Sequence, residues 1–196
     1  MSRGLRVTVA ALLLAITAGV AGAHVTPPVV LVSDRDALVS LLSGARKFFV
    51  REVRLSAEQK QAIQRQSGWT PDEDFYRFYL GRDAEGRLVA ATTFLTEYTV
   101  HGPVRIAVSF DPSGKVTGVM VVELTEETYG WVKPLIDGKL VSAYVGQDAS
   151  GKFDMSGEAD RRLQPMEKFY GQVIGSLVKR AALLYDVGIG REGRAA

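Results

Sequence analysis

The sequence predicts an α+β domain: an antiparallel sheet of about four strands, packed by N-terminal helices and one long C-terminal helix. Three observations carry this. The centre, Phe75 to Leu124, breaks into short β-rich runs separated by turn residues. The flanks carry apolar residues at three- and four-residue spacing. The alternating strand–helix rhythm of a doubly wound parallel sheet is missing.

The chain opens outside that domain. Arg3 and Arg6 precede an apolar run from Val7 to Val20, which closes on the small residues Ala21-Gly22-Ala23. The run falls short of the roughly 20 residues that a membrane-spanning helix uses. Residues 1–23 are therefore expected to be a cleaved signal peptide, with an uncleaved signal-anchor as the alternative. The expected location is periplasmic or secreted, either free or attached to the cytoplasmic membrane through that segment. The chain has no Cys, which excludes a lipoprotein anchor, a disulfide framework, a thiolate metal site and an iron–sulfur cluster. Loss of Arg3 and Arg6 brings 24 basic and 22 acidic residues to parity. That balance gives no basic excess for a nucleic-acid surface. The remaining length suits one domain with its own core.

Residues 24–54 read as a lead-in and a helix. His24 to Val32 is extended. Cleavage would leave His24 first, where an amine and an imidazole can chelate copper; His101 is the only other His, so an exposed terminus is the favoured reading. A helix is expected from Ser33, with Asp34 and Asp36 at its positive end. Leu38, Leu41, Leu42, Ala45, Phe48 and Phe49 would form its buried stripe. Residues 55–187 form the main domain. Ser56 and Gln59 make a capping box, and Gly68 suits the end of that second helix.

The strands follow. Phe75–Leu80 is aromatic, and Arg82–Gly86 turns into Leu88–Leu95. Val104–Phe110 alternates with period two, as a half-buried strand does. Asp111-Pro112-Ser113-Gly114 is a type I turn. Lys115–Leu124 is more continuously apolar, as expected of a strand covered on both faces. Beyond it the chain reads as irregular until Leu163. From there Met166, Phe169, Val173, Leu177, Ala181 and Leu184 mark a long amphipathic helix that Gly188 and Gly190 end. Residues 188–196 are expected to be a loose tail.

The common catalytic constellations are absent: no nucleophile elbow, Walker loop, His-Glu-x-x-His or dinucleotide glycine fingerprint occurs. Glu123, Glu126 and Glu127 are paired acids, but acids at a strand end are usually solvated. Nothing supports a hydrolase.

One block carries a resemblance. Tyr98 to Val108, then Asp111-Pro-Ser-Gly114-Lys-Val116-Thr-Gly118, then Glu123-Leu-Thr-Glu-Glu127-Thr128-Tyr-Gly130 resembles the core of the FMN-binding domain family. That family includes flavin-carrying subunits of sodium-translocating quinone reductase and Rnf-type complexes, and the flavin domain of the nitrous-oxide reductase regulator. The likeness runs roughly from Leu55 to Gly157. Relatives carry a Ser-Gly-Ala-Thr motif before the last helix, whose Thr is esterified by FMN phosphate. Here the stretch is Ser156-Gly157-Glu158-Ala159. Ala159 has no hydroxyl, so no phosphoester forms there, and Glu158 and Asp160 add negative charge beside the expected phosphate.

The resemblance implies a noncovalently held FMN as the cofactor. Its expected contacts are Glu127, Thr128, Tyr129, Gly130, Ser156 and Gly157. Thr128 would donate a hydrogen bond to a phosphate or ring carbonyl. Gly130 would admit a close backbone approach, and Tyr129 or Trp131 would stack on the ring. Ser156 and Gly157 would offer N–H groups near a helix start. The competing reading makes Thr128 and Ser156 turn or cap residues, Gly130 a bend and the aromatics core. The expected function is respiratory or redox electron transfer outside the cytoplasm, as a flavoprotein module rather than a stand-alone catalyst. Its partner would be a redox protein or a membrane electron-transfer complex, with no nucleic acid. The alternative is a cofactor-free binding or structural module that kept the fold.

Overall fold

Four strands follow one another through short turns and pair in sequence order, and a fifth pairs with the first of them across an intervening helix. In the computed structural model, which describes residues 26–154 and 162–190, they are β2 (Lys47–Val53), β3 (Tyr76–Arg82), β4 (Leu88–Thr99), β5 (Gly102–Phe110) and β6 (Val116–Thr125). A short strand β1 (Pro28–Val30) pairs with β6, at the sheet edge opposite β2. The sheet thus has six antiparallel strands in the order β1-β6-β5-β4-β3-β2. The expected class holds; the count of about four does not. The two extra strands come from the stretch read as a lead-in and a helix.

That helix is shorter than its stripe suggested. α1 spans Asp34–Leu41, capped by Ser33, whose side chain accepts from the Asp36 N–H. Gly44 then turns the chain at φ +90°. Phe48 and Phe49 are strand residues, 62% and 50% exposed. The physical reason is that Lys47–Val53 is rich in aromatic and β-branched residues, which favour a pleated strand. α2 (Ala57–Ser67) matches its prediction: the Ser56/Gln59 capping box forms, and Gly68 closes the helix at φ +74°.

Helices cover both faces of the sheet. α1 packs on β4, β5 and β6. Its small core joins Ala37, Ala107 and Val122, with Leu41, Phe94 and Met120 around them. The approach is close: a Cβ on Gly118 would meet Leu41 Cδ2 at 2.6 Å. The opposite face carries the main core, where Val104, Ile106, Val108 and Phe110 of β5 meet the last helix, α4 (Pro165–Gly188). α4 has the predicted position and ends at Gly188. Its deepest residues include Tyr170, Ile174 and Val178, whereas Phe169 stays 41% exposed.

The stretch read as irregular holds one more helix, α3 (Glu126–Asp137), and a short 3-10 helix at Leu140–Tyr144. Gly130 and Pro134 inside α3 masked its helical character. The predicted signal peptide, His24, Ser156, Gly157, Ala159 and the last six residues lie outside the described residues.

Candidate functional site

The candidate site is a corner where three elements meet: the β4–β5 turn, the start of α3 and the N-terminal half of α4. The β4–β5 turn is tight because Thr99 Oγ1 donates to the Gly102 carbonyl at 2.9 Å and accepts from the His101 N–H at 3.2 Å. Gly102 sits at φ +102°, where a Cβ would lie 2.4 Å from Thr125 Cγ2. Only glycine lets the turn tuck under α3 this closely.

α3 starts at a second capping box. Thr125 Oγ1 accepts from the Thr128 N–H at 3.4 Å, and Thr128 Oγ1 accepts from the Thr125 N–H at 3.1 Å. Thr128 is fully buried, and its hydroxyl donates to the Thr125 carbonyl at 3.0 Å. Both faces of the hydroxyl on which a ligand bond was expected serve the cap. The Glu126 N–H is also used, by the Pro27 carbonyl at 3.0 Å. These bonds leave the helix start little capacity to cradle a phosphate.

Its side chains are arranged differently. Glu127, Gly130 and Trp131 share one face of α3, by three- and four-residue spacing. His101 lies over that face. Its Nδ1 is 2.9 Å from Glu127 Oε1, and its ring meets Trp131 edge-on at 5.0 Å. Trp131 in turn stacks on Tyr170 of α4, 5.7 Å away and 15° from parallel. Phe169 extends the row, edge-on to Tyr170 at 5.1 Å. Tyr170 is buried, and its hydroxyl lies 3.3 Å from Thr99 Oγ1. Burial pushes that phenol up, and the bond with Thr99 offsets part of the rise. Gly130 is open: a Cβ there would meet nothing within 4 Å. Tyr129 is 36% exposed on the opposite side of α3 from Glu127 and Trp131.

Two grooves continue from this corner. One, of about 570 Å³, runs between Tyr98–Val100 and Phe169, Gln172, Val173 and Ser176. The other, of about 470 Å³, lies among Trp69, Phe75, Tyr76 and Leu95. Glu97 and Arg180 line both grooves and form an ion pair, with the guanidinium 5.3 Å over the Trp69 ring.

Of the six predicted contacts, the structure brings Glu127 and Gly130 to this corner and Thr128 beneath it, sets Tyr129 on the opposite side of α3, and describes neither Ser156 nor Gly157. Comparison with protein-family models and with curated proteins gave no match. The site therefore rests on its own geometry.

Sequence reasoning gave His101 no part in the site and overlooked Tyr170. The β5–β6 ladder that leads to this corner carries two register shifts. Phe110 pairs with Val116 but Ser109 with Gly118, which skips Thr117. Ile106 pairs with Val121 but Arg105 with Glu123, which skips Val122. Each skip advances the register by one residue; β6 then ends at Thr125, whose hydroxyl donates to the His101 carbonyl, and Glu127 meets the imidazole from the first turn of α3. Bulges of this kind re-aim side chains near functional sites, and no residue pattern in the two strands announces them.

The residues present fit one part of FMN. An exposed glycine on the same helix face as Trp131, with an imidazole over that face, leaves room beside it for a flat ring. The described residues offer no matching phosphate cradle, and Ser156 and Gly157 lie outside them.

Proposed function

We propose that this protein is a flavin-binding electron carrier of the FMN-binding domain type, acting outside the cytoplasm. One observation carries the reading. The Glu127–Trp131 segment, which bears the resemblance, lies in the same corner as an open glycine and a row of packed aromatic rings. A bound flavin supplies one- and two-electron transfer. The chain's residues bind and orient it: Trp131 and the His101 imidazole border the ring, Gly130 admits its edge, and Ser156 and Gly157 take the phosphate. The FMN is held noncovalently, since Ala159 cannot form an ester. The partner is a redox protein or a membrane electron-transfer complex that reaches the exposed rim of Tyr98, Val100 and Phe169.

The test is an absorbance spectrum of the exported protein, followed by titration with FMN and readout of flavin fluorescence. The expected result is quenching on binding, with all flavin released on denaturation and none left on a denaturing gel band. A colourless protein that leaves added FMN fluorescent overturns the reading. One observation favours a second reading, a cofactor-free module: the Thr125/Thr128 box and Pro27 use polar groups that a phosphate would need. That same outcome supports it.

A further inference from the structure

β2 is an edge strand: it pairs with β3 on one side, and among the described residues no strand pairs with its other side. Such an edge leaves alternate N–H and C=O groups without a ladder partner. Here the edge is also apolar. Phe48, Phe49 and Val50 are exposed in three consecutive positions, and Val39 of α1 is exposed as well. α1 packs on β4, β5 and β6. Between α1 and the strand edge runs a groove of about 470 Å³, lined by Leu38, Val39 and Leu42 of α1 and by Phe48, Phe49 and Val50 of β2. Successive strand residues point to opposite faces, so a groove that touches all three wraps the outer edge of β2. Its charge has one sign. Arg35 lines it, Arg46 and Lys47 lead into Phe48, and all three are exposed. No acid occurs from Ala37 to Arg51. Glu52, near the far end of the strand, is paired with Arg54 and Arg77.

We propose that the β2 edge is a docking site for an extended peptide segment of a partner protein, one that is apolar at alternate positions and acidic at the end facing Arg46 and Lys47. The proposal is independent of the flavin reading. Three features of the edge select this occupant. Its unpaired backbone groups find donors and acceptors in an added strand, whereas lipid offers them none. Its groove takes apolar side chains from that strand, and apolar surface of this extent on a monomer marks an interaction site. Its cations meet acids in the peptide. A second copy docked by the same surface would instead bring Arg35, Arg46 and Lys47 of both chains together, which like charge opposes.

The experiment titrates the mature protein with a short synthetic peptide that carries Glu at one end and alternating Val and Thr behind it. Amide NMR should show the largest shifts in β2 and at Leu38, Val39 and Leu42, with the outward-facing β2 amides gaining protection from exchange. A peptide with Lys in place of Glu is expected to bind about tenfold more weakly, and added salt to weaken the acidic one. Arg46→Glu, at an exposed position, should erase the preference for acid. Phe48→Asp should weaken both peptides, with a melt to show that it folds. An acidic peptide that leaves β2 unshifted, or a Lys peptide that binds as well, overturns the proposal. So do three signs of another occupant: a dimer in sedimentation that Phe48→Asp dissolves, flotation with phosphatidylglycerol vesicles that Phe48→Asp abolishes, or outward-facing β2 amides already protected in the free monomer.

Discussion

Thr128 and Gly130, two residues apart in one helix, separate structure from binding. Thr128 is buried and closes the first turn of α3 through Thr125. Thr128→Val keeps the shape and deletes the bonds. It should lower stability by about 1–2 kcal/mol in urea unfolding, with FMN affinity unchanged once the variant is folded. A large loss of affinity at wild-type stability would return the hydroxyl to the ligand. Gly130 is the converse. With open space at its Cβ position inside a helix, Gly130→Ala should stabilise the protein by about 0.5–1 kcal/mol. If the glycine exists to admit a ring edge, the same variant binds FMN more weakly, and a titration beside the melt shows both. These roles were unequally legible. Ser56 and Gln59 announced their capping box by residue type, whereas Thr125 and Thr128 lack the acid or amide that usually marks one.

Elements were legible where local chemistry decides the backbone. Asp111-Pro-Ser-Gly, expected as a turn, is one: the Ser113 N–H and hydroxyl donate to the Asp111 carboxylate at 2.8 and 2.6 Å. Asp148-Ala-Ser-Gly makes the same bonds at 2.8 and 2.6 Å in a stretch that read as irregular. The 34–53 stretch was less legible, because an apolar stripe at helical spacing also serves a helix followed by a strand. Tertiary ties decide there. Arg105 of β5 grips Asp34 of α1 through two bonds, at 2.6 and 2.9 Å. The hydrogen bond from Arg105 holds the Asp34 carboxyl below its ordinary value, against a smaller opposing cost of burial. A depressed carboxylate stabilises the fold above the unfolded value of about 4 and loses that contribution as pH falls through the folded one. Asp34→Asn should therefore lower stability at neutral pH and flatten its decline below about pH 4, which thermal melts across that range would show. Unchanged melts would mean that α1 is held by Ala37 and Leu41 alone. Against the other face, a Cβ on Gly175 of α4 would lie 2.2 Å from the Phe153 carbonyl oxygen. Gly175→Ala must move backbone and should cost about 1–3 kcal/mol; a neutral melt would show that the chain before residue 155 yields freely.

At the scale of the molecule, one sheet serves two cores of very different size. The α4 face buries Phe78, Ile106, Phe110, Ile174, Leu177 and Tyr185 in one continuous cluster, while three fully buried residues anchor the α1 face. Sequence showed that two helical flanks would cover a sheet; it did not show that β1 and β2, consecutive in the chain, would close opposite edges with α1 crossing between them. That crossing depends on long-range packing, which residue patterns encode weakly. Its consequence is uneven stability. Local opening draws on elements with few buried contacts, and α1 has eight residues against twenty-four in α4. Amides of α1 are expected to exchange with solvent through a partial opening that leaves the sheet intact. Amides near Ile174 to Ala182 are expected to exchange only on global unfolding. Leu177→Ala, at the centre of the larger core, should lower both by about 2–5 kcal/mol if the two are coupled, but only the α4 amides if α1 opens on its own. The candidate corner stands on α3, α4 and the β4–β5 turn, all on the side of the larger core. Opening of α1 should therefore leave His101, Glu127 and Trp131 protected, and exchange of the Glu127–Trp131 amides at the α1 rate would place the site on the weaker half instead.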